Sequence, residues 1–152
     1  TPTGTGASVD SAGSVSGTAW SNVSVTLSEL GDSVTCTARV ENTSSFIAYL
    51  DEINTAATLS CAPTSGSENA ASVSNANSVC SGVELTIDVG SSSATATSTS
   101  VASTTGISSN SIAINGTQDV SFTIEYNSGA ASADGDITIT IPQINLIYKT
   151  TD

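Results

Sequence analysis

The chain contains no histidine and no methionine, and only Arg39 and Lys149 of its 152 residues are basic. The commonest general base and the commonest zinc ligand are therefore missing, and no close cysteine pair stands in for them. A serine nucleophile would have to use Lys149 as its base, and so would an intramolecular isopeptide bond. Two cations against 14 carboxylates give a net charge of −12. That excludes nucleic acid as a partner, because nothing could neutralise its phosphates. It also argues against an anionic membrane surface. No run of 18 apolar residues occurs, so no membrane-spanning helix is expected. Leu, Lys, Arg and Gln, the long helix formers, are scarce. Aromatic residues make up 4% of the chain, which leaves little platform for a sugar ring, and no pair of carboxylates is marked for glycoside hydrolysis. The expectation is a protein without enzymatic activity and without a cofactor.

Ser and Thr fill about a third of the positions instead. Thr, Val and Ile favour strands, because a branched β-carbon packs well on a pleated sheet and crowds a helix turn. The apolar residues fall into alternating segments, which distinguishes the chain from a disordered Ser-rich one. Val23, Val25 and Leu27 share one face. Val34, Cys36, Ala38 and Val40 share another, and Val83, Leu85, Ile87 and Val89 a third. Val120, Phe122, Ile124 and Tyr126 form a further strand after Asn115-Gly116, a hairpin signal. Strand character resumes from Phe46 to Leu50. Trp20, Phe46, Phe122, Tyr126 and Tyr148 read as core or strand-cover residues. Residues 62–78 read as a long polar loop, and residues 91–105 as a solvent-facing edge strand or a loop.

The last strand changes phase: Ile137, Ile139 and Ile141 are odd-numbered, whereas Ile144, Leu146 and Tyr148 are even. A one-residue slip reverses every side chain, so a bulge or kink is expected at Pro142-Gln143, allowing one long strand to cross between two sheets. Some eight to ten short strands imply an all-β fold: a two-sheet antiparallel sandwich of jelly-roll or immunoglobulin-like kind with an extended N-terminal strand. We divide the chain into an N-terminal extension, residues 1–18, and a single β-sandwich domain, residues 19–152. In the extension, Ala7, Val9, Ser11, Gly13 and Val15 occupy one period-2 face. This segment is either an ordinary first strand or one that pairs with a neighbouring subunit.

Of the three cysteines, Cys61 and Cys80 flank the polar loop, and a disulfide between them is favoured. Cys36 then sits alone on the inward face of its strand as a small core residue, the alternative being that it pairs with one of the others or with another subunit. Asn22, Asn42 and Asn115 each head an N-glycosylation sequon. Asp134-Gly135-Asp136 is a weak calcium candidate, with a solvated turn as the plainer alternative, and no other metal site is indicated. Arg39 and Lys149 are expected in surface ion pairs. The chain starts at Thr1 and not Met, as a mature N-terminus would after signal-peptide removal. With the Ser/Thr-rich surface and the sequons, this suggests the cell surface or extracellular space.

Leu30-Gly31-Asp32-Ser33-Val34-Thr35, followed by Val40-Glu41-Asn42-Thr43-Ser44-Ser45 and Ala48-Tyr49-Leu50, resembles a pattern in TasA/camelysin-type biofilm-matrix fibre proteins. Asp136 to Ile141 also suits that family's final strands. The related archaeal bundling pilins share the jelly-roll fold, and these proteins polymerise by donor-strand exchange. The resemblance covers roughly residues 19–53 and the tail. The aromatic N-terminal motifs of the family are absent. What it implies here is a head-to-tail homopolymer, a pilus or matrix fibre, in which residues about 3–16 donate a strand to the next subunit. The alternative is a non-polymerising surface adhesin or carbohydrate-binding module.

Overall fold

In the computed structural model, residues 2–150 are described, with side chains described from Gly6 onward; Thr1, Thr151 and Asp152 of the two expected units lie outside the described residues. Alternation dictates the architecture. Strands β1 (Pro2–Thr5), β2 (Ser8–Ser16), β3 (Ala19–Leu27), β4 (Ser33–Glu41), β5 (Ala48–Thr55) and β6 (Ser60–Pro63) precede a short helix, α1 (Val73–Val79). Then come β7 (Val83–Val89), β8 (Ser92–Ala96), β9 (Ser103–Thr105), β10 (Ser111–Ile112), β11 (Thr117–Tyr126), β12 (Ile137–Ile141) and β13 (Ile144–Lys149).

Two antiparallel sheets form a sandwich. One has the order β1-β4-β11-β7-β8. In the other, β12 and β13 run end to end along one side of β3, and β2 covers its other side. β6 flanks β12, β5 flanks β13, and β9 and β10 lie beyond β5. Every second residue of the central strands points between the sheets: Val25, Leu27, Leu85, Ile87, Ile137 and Ile139 have no exposed surface. Burial of each such side chain is worth roughly 1.5–3 kcal/mol, so the alternation itself sets which face turns inward.

Four expectations are corrected. Residues 62–78 are not simply a loop. Ser72 caps α1 by accepting from Asn75 N, and Ala76 and Val79, three apart, bury one side of it. A seven-residue helix with so few apolar positions leaves almost no periodic signal. Asn115-Gly116 is a turn but not a hairpin, because β10 pairs with β5 in one sheet and β11 with β4 and β7 in the other. Phe46 is not a core residue. The strand begins only at Ala48, and Phe46 is 65% exposed.

The break at Pro142-Gln143 is real, but it does not carry the strand between sheets. Ile137 opposes Leu27, Ile141 opposes Val23 and Ile144 opposes Trp20 in one continuous register. The kink keeps Ile141 and Ile144 both buried, although they are three residues apart. In that register Pro142 faces Asn22, and Asn22 faces Gly13 of β2. Asn22 and Gly13 both have positive φ, 60° and 70°. The phase shift therefore crosses three strands as one line. A single kinked strand between two straight ones would lose its ladder, so the neighbours bend with it.

Candidate functional site

The N-terminal segment lies along one edge of the sandwich and closes both sheets there. β1 pairs with β4 from Pro2 opposite Cys36 to Thr5 opposite Ser33. The chain then crosses to the other sheet at Gly6 and Ala7, and β2 pairs with β3 from Ser8 opposite Thr26 to Ser16 opposite Ala19. A two-residue turn at Gly17-Thr18 joins β2 to β3, with Gly17 at φ 61°, as tight hairpins require.

The crossing point is built on the Leu30-Gly31-Asp32 turn. Asp32 is 7% exposed. Its Oδ2 accepts from Ser28 N at 2.8 Å and from Glu29 N at 2.9 Å. Tyr126 N donates to the Asp32 carbonyl, and Gly31 N to that of Tyr126, which ties this turn to β11. Gly6, at φ 70°, passes so close over Asp32 that a β-carbon there would overlap Oδ1. Only glycine fits both the backbone conformation and the approach.

The five residues singled out in the extension, Ala7 just before β2 and the other four within it, do not share one face. A bulge at Asp10 shifts the register between Val9 and Ser11, and at Gly13, where the register with β3 is unbroken, the kink line changes the facing again. Val9, Ala12 and Val15 are the residues opposite the inward-facing Val25, Val23 and Trp20. Ala7 and Val9 pack on the core, half-buried, whereas Val15 is 64% exposed. Ser11 instead donates its hydroxyl to Asn22 O at 2.7 Å and accepts from Gly13 N. Asp10 Oδ2 accepts from Thr26 Oγ1 at 2.8 Å, and Trp20 Nε1 donates to Ala12 O at 2.9 Å. Main-chain and polar contacts therefore dominate the docking of this segment. Period-2 reasoning missed the bulge because a small polar strand carries no apolar phase to reveal it.

β1 begins at Pro2 opposite Cys36, and β4 runs on past it through Ala38 to Glu41. Between that stretch and the start of β3 lies an apolar groove of about 280 Å³, lined by Val15, Trp20, Val40, Phe122, Ile144 and Leu146 among others. Trp20 meets Phe122 edge to face, with ring centroids 4.5 Å apart.

The remaining candidates fall elsewhere. Cys61 and Cys80 form a disulfide that staples β6 to the end of α1, a bond that fits an oxidising setting. Cys36 is a buried free thiol, and desolvation raises its pKa. Asp134 and Asp136 do not converge on a common point for calcium. Asp134 accepts from Ser72 N and Ser72 Oγ, and Asp136 from the hydroxyls of Ser28 and Ser67. Those two hydroxyls hold the Asp136 carboxyl below its ordinary range. Among the described residues no three Asp, Glu or Cys side chains gather as a metal site would need. Arg39 pairs with Asp119 at 2.7 Å and Lys149 with Asp51 at 2.9 Å. Asn22 and Asn115 are exposed. Asn42 is 6% exposed, and its amide nitrogen is hydrogen-bonded to buried backbone.

Fold and edge together define an all-β sandwich closed on one side by its own N-terminal strands. No family model matches the chain, and no curated protein matches it. Among solved structures, one similar chain is TmCBM61 in complex with β-1,4-galactotriose, at 11% identity and a TM-score of 0.44. The match covers 94% of this chain and 87% of that one. Another is Xylanase10C from Cellvibrio japonicus in complex with xylopentaose, at 16% identity and a TM-score of 0.38. It covers 95% of this chain and 28% of that one.

Proposed function

We propose that this chain is a structural subunit of an extracellular filament, a pilus or matrix fibre, with no catalytic role. It polymerises head to tail when the N-terminal extension leaves its own sandwich and completes the sheets of a neighbour. One observation carries this reading: a single segment, Pro2–Ser16, is the outermost strand of both sheets on the same edge. Its departure opens both sheets at once, and an identical segment from another copy can close them. A docked strand regains its row of main-chain hydrogen bonds whichever copy supplies it. Exchange therefore costs little beyond opening the Gly17-Thr18 hairpin. A head-to-tail contact does not close on itself, so it propagates as a fibre. The −12 charge opposes assembly in dilute buffer, and salt or divalent cations relieve it.

The test is a variant lacking residues 1–16, viewed by negative-stain microscopy beside the full chain. The full chain is expected to form uniform filaments and the truncated chain none. A synthetic peptide of residues 1–16 should restore the truncated chain's melting temperature, which separates a missing strand from a failed fold. Fibres of unchanged morphology without residues 1–16 would end the proposal. The apolar groove beside Trp20 supports a second reading, a non-polymerising adhesin or carbohydrate-binding module. Dispersed monomers of the full chain that bind a glycan array would favour it.

A further inference from the structure

We infer that Asn22 and Asn115 accept N-linked glycans and that Asn42, the third sequon, does not. The inference is independent of the filament. In the modifying reaction the amide nitrogen attacks the anomeric carbon of a glycosyl donor. A C–N bond forms, the nitrogen loses a proton, and the donor's phosphate group leaves. The asparagine nitrogen must be exposed, and the hydroxyl two residues on must be accessible.

Asn115 meets both conditions. It is exposed at a turn between the two sheets with φ 58°, its side chain has no hydrogen bond with any described residue, and Thr117 is exposed as well. A sugar there stands next to Ile114, which is 50% exposed, and would cover apolar surface otherwise bare to water. Asn22 is exposed on the outer face of β3, where the kink line puts it at φ 60°. Its amide nitrogen makes one long contact, 3.5 Å, to the adjacent Ser21 hydroxyl.

Asn42 fails on the first count, and the hydroxyl of its sequon, although Ser44 is exposed, is already engaged. Its amide nitrogen lies 2.8 Å from Phe46 O, 3.0 Å from Ile112 O and 3.2 Å from Ala113 O. Its oxygen accepts from Ser44 N and from Ser44 Oγ at 2.7 Å, so the sequon's own hydroxyl is occupied by the residue it would present. A glycan on that nitrogen would have to pull the amide out of its buried seat.

The experiment is glycopeptide mass spectrometry of the full chain from its native source. A glutamate-specific protease suits it, since cuts after Glu29, Glu41, Glu52, Glu84 and Glu125 put the three asparagines on separate peptides. Sugar mass is expected on the peptides holding Asn22 and Asn115 and none on that holding Asn42. Asn22→Gln and Asn115→Gln, made in the same host, should each lose only their own increment. A bare asparagine at position 22 or 115, or a glycan on Asn42, overturns the inference.

Discussion

Gly6 and Gly17 bracket β2, and replacing each by alanine separates backbone strain from the contact that holds the N-terminal segment in place. Both have positive φ, 70° and 61°. A β-carbon in that region costs about 1–2 kcal/mol. At Gly17 nothing lies within 4 Å of the new carbon, so strain is the whole cost. At Gly6 the carbon meets Asp32, which must move and weaken the bonds it accepts from Ser28 N and Glu29 N. Hydrogen bonds to a charged group are worth roughly 1.5–3 kcal/mol each. Gly6→Ala should therefore exceed Gly17→Ala by about 2 kcal/mol or more, which is roughly 30-fold in an equilibrium constant. The anchors of the segment are small, with Ala7 and Val9 only half-buried, so it should undock before the core unfolds. Hydrogen exchange read by mass spectrometry resolves this. Protection of residues 2–9 should fall about 30-fold further in Gly6→Ala than in Gly17→Ala, while β11 keeps its protection. Equal losses in the two variants would refute the role of Asp32, and loss across β11 would show that the segment is not a separable unit.

Asn42→Ala should destabilise the fold by about 2–4 kcal/mol in urea titrations, because it removes the donor serving three backbone carbonyls and the acceptor of Ser44. Asn115→Gln, a surface change, should stay within about 0.5 kcal/mol. Reducing Cys61–Cys80 releases a loop with a sequence separation of 19 and should cost roughly 3 kcal/mol. A melting temperature unmoved by reductant would mean that α1 holds without the staple. Burial pushes the Tyr148 phenol up to about 12 from 10. The folded state thus keeps its proton where the unfolded state loses it, so this group's contribution is intact below pH 10 and vanishes between pH 10 and 12. Burial also raises the Tyr126 phenol, so phenolate absorbance should show two late-titrating tyrosines, and Tyr148→Phe should remove one of those steps together with its share of the alkaline stability loss.

Local pattern was enough for much of this protein. Alternation at Val23–Leu27, Val83–Val89 and Val120–Tyr126 names strands and their inward faces, because a period of two follows from the pleat whatever lies opposite. The odd-to-even switch around Pro142 reveals the kink for the same reason, and the absence of histidine and the scarcity of lysine bound the chemistry by composition alone. Tertiary structure decided what depends on the neighbour across the ladder. The kink extends to Asn22 and Gly13 only because the register sets them beside Pro142. Asn42, one of three equivalent sequons in the sequence, is buried because Ile112 and Ala113 come from 70 residues away to accept its protons. Residues 2–16 show little more than small side chains in their own sequence. Their place on the shared edge of two sheets follows from long-range pairing with β4 and β3, and from an Asp32 turn that leaves room for Gly6 alone.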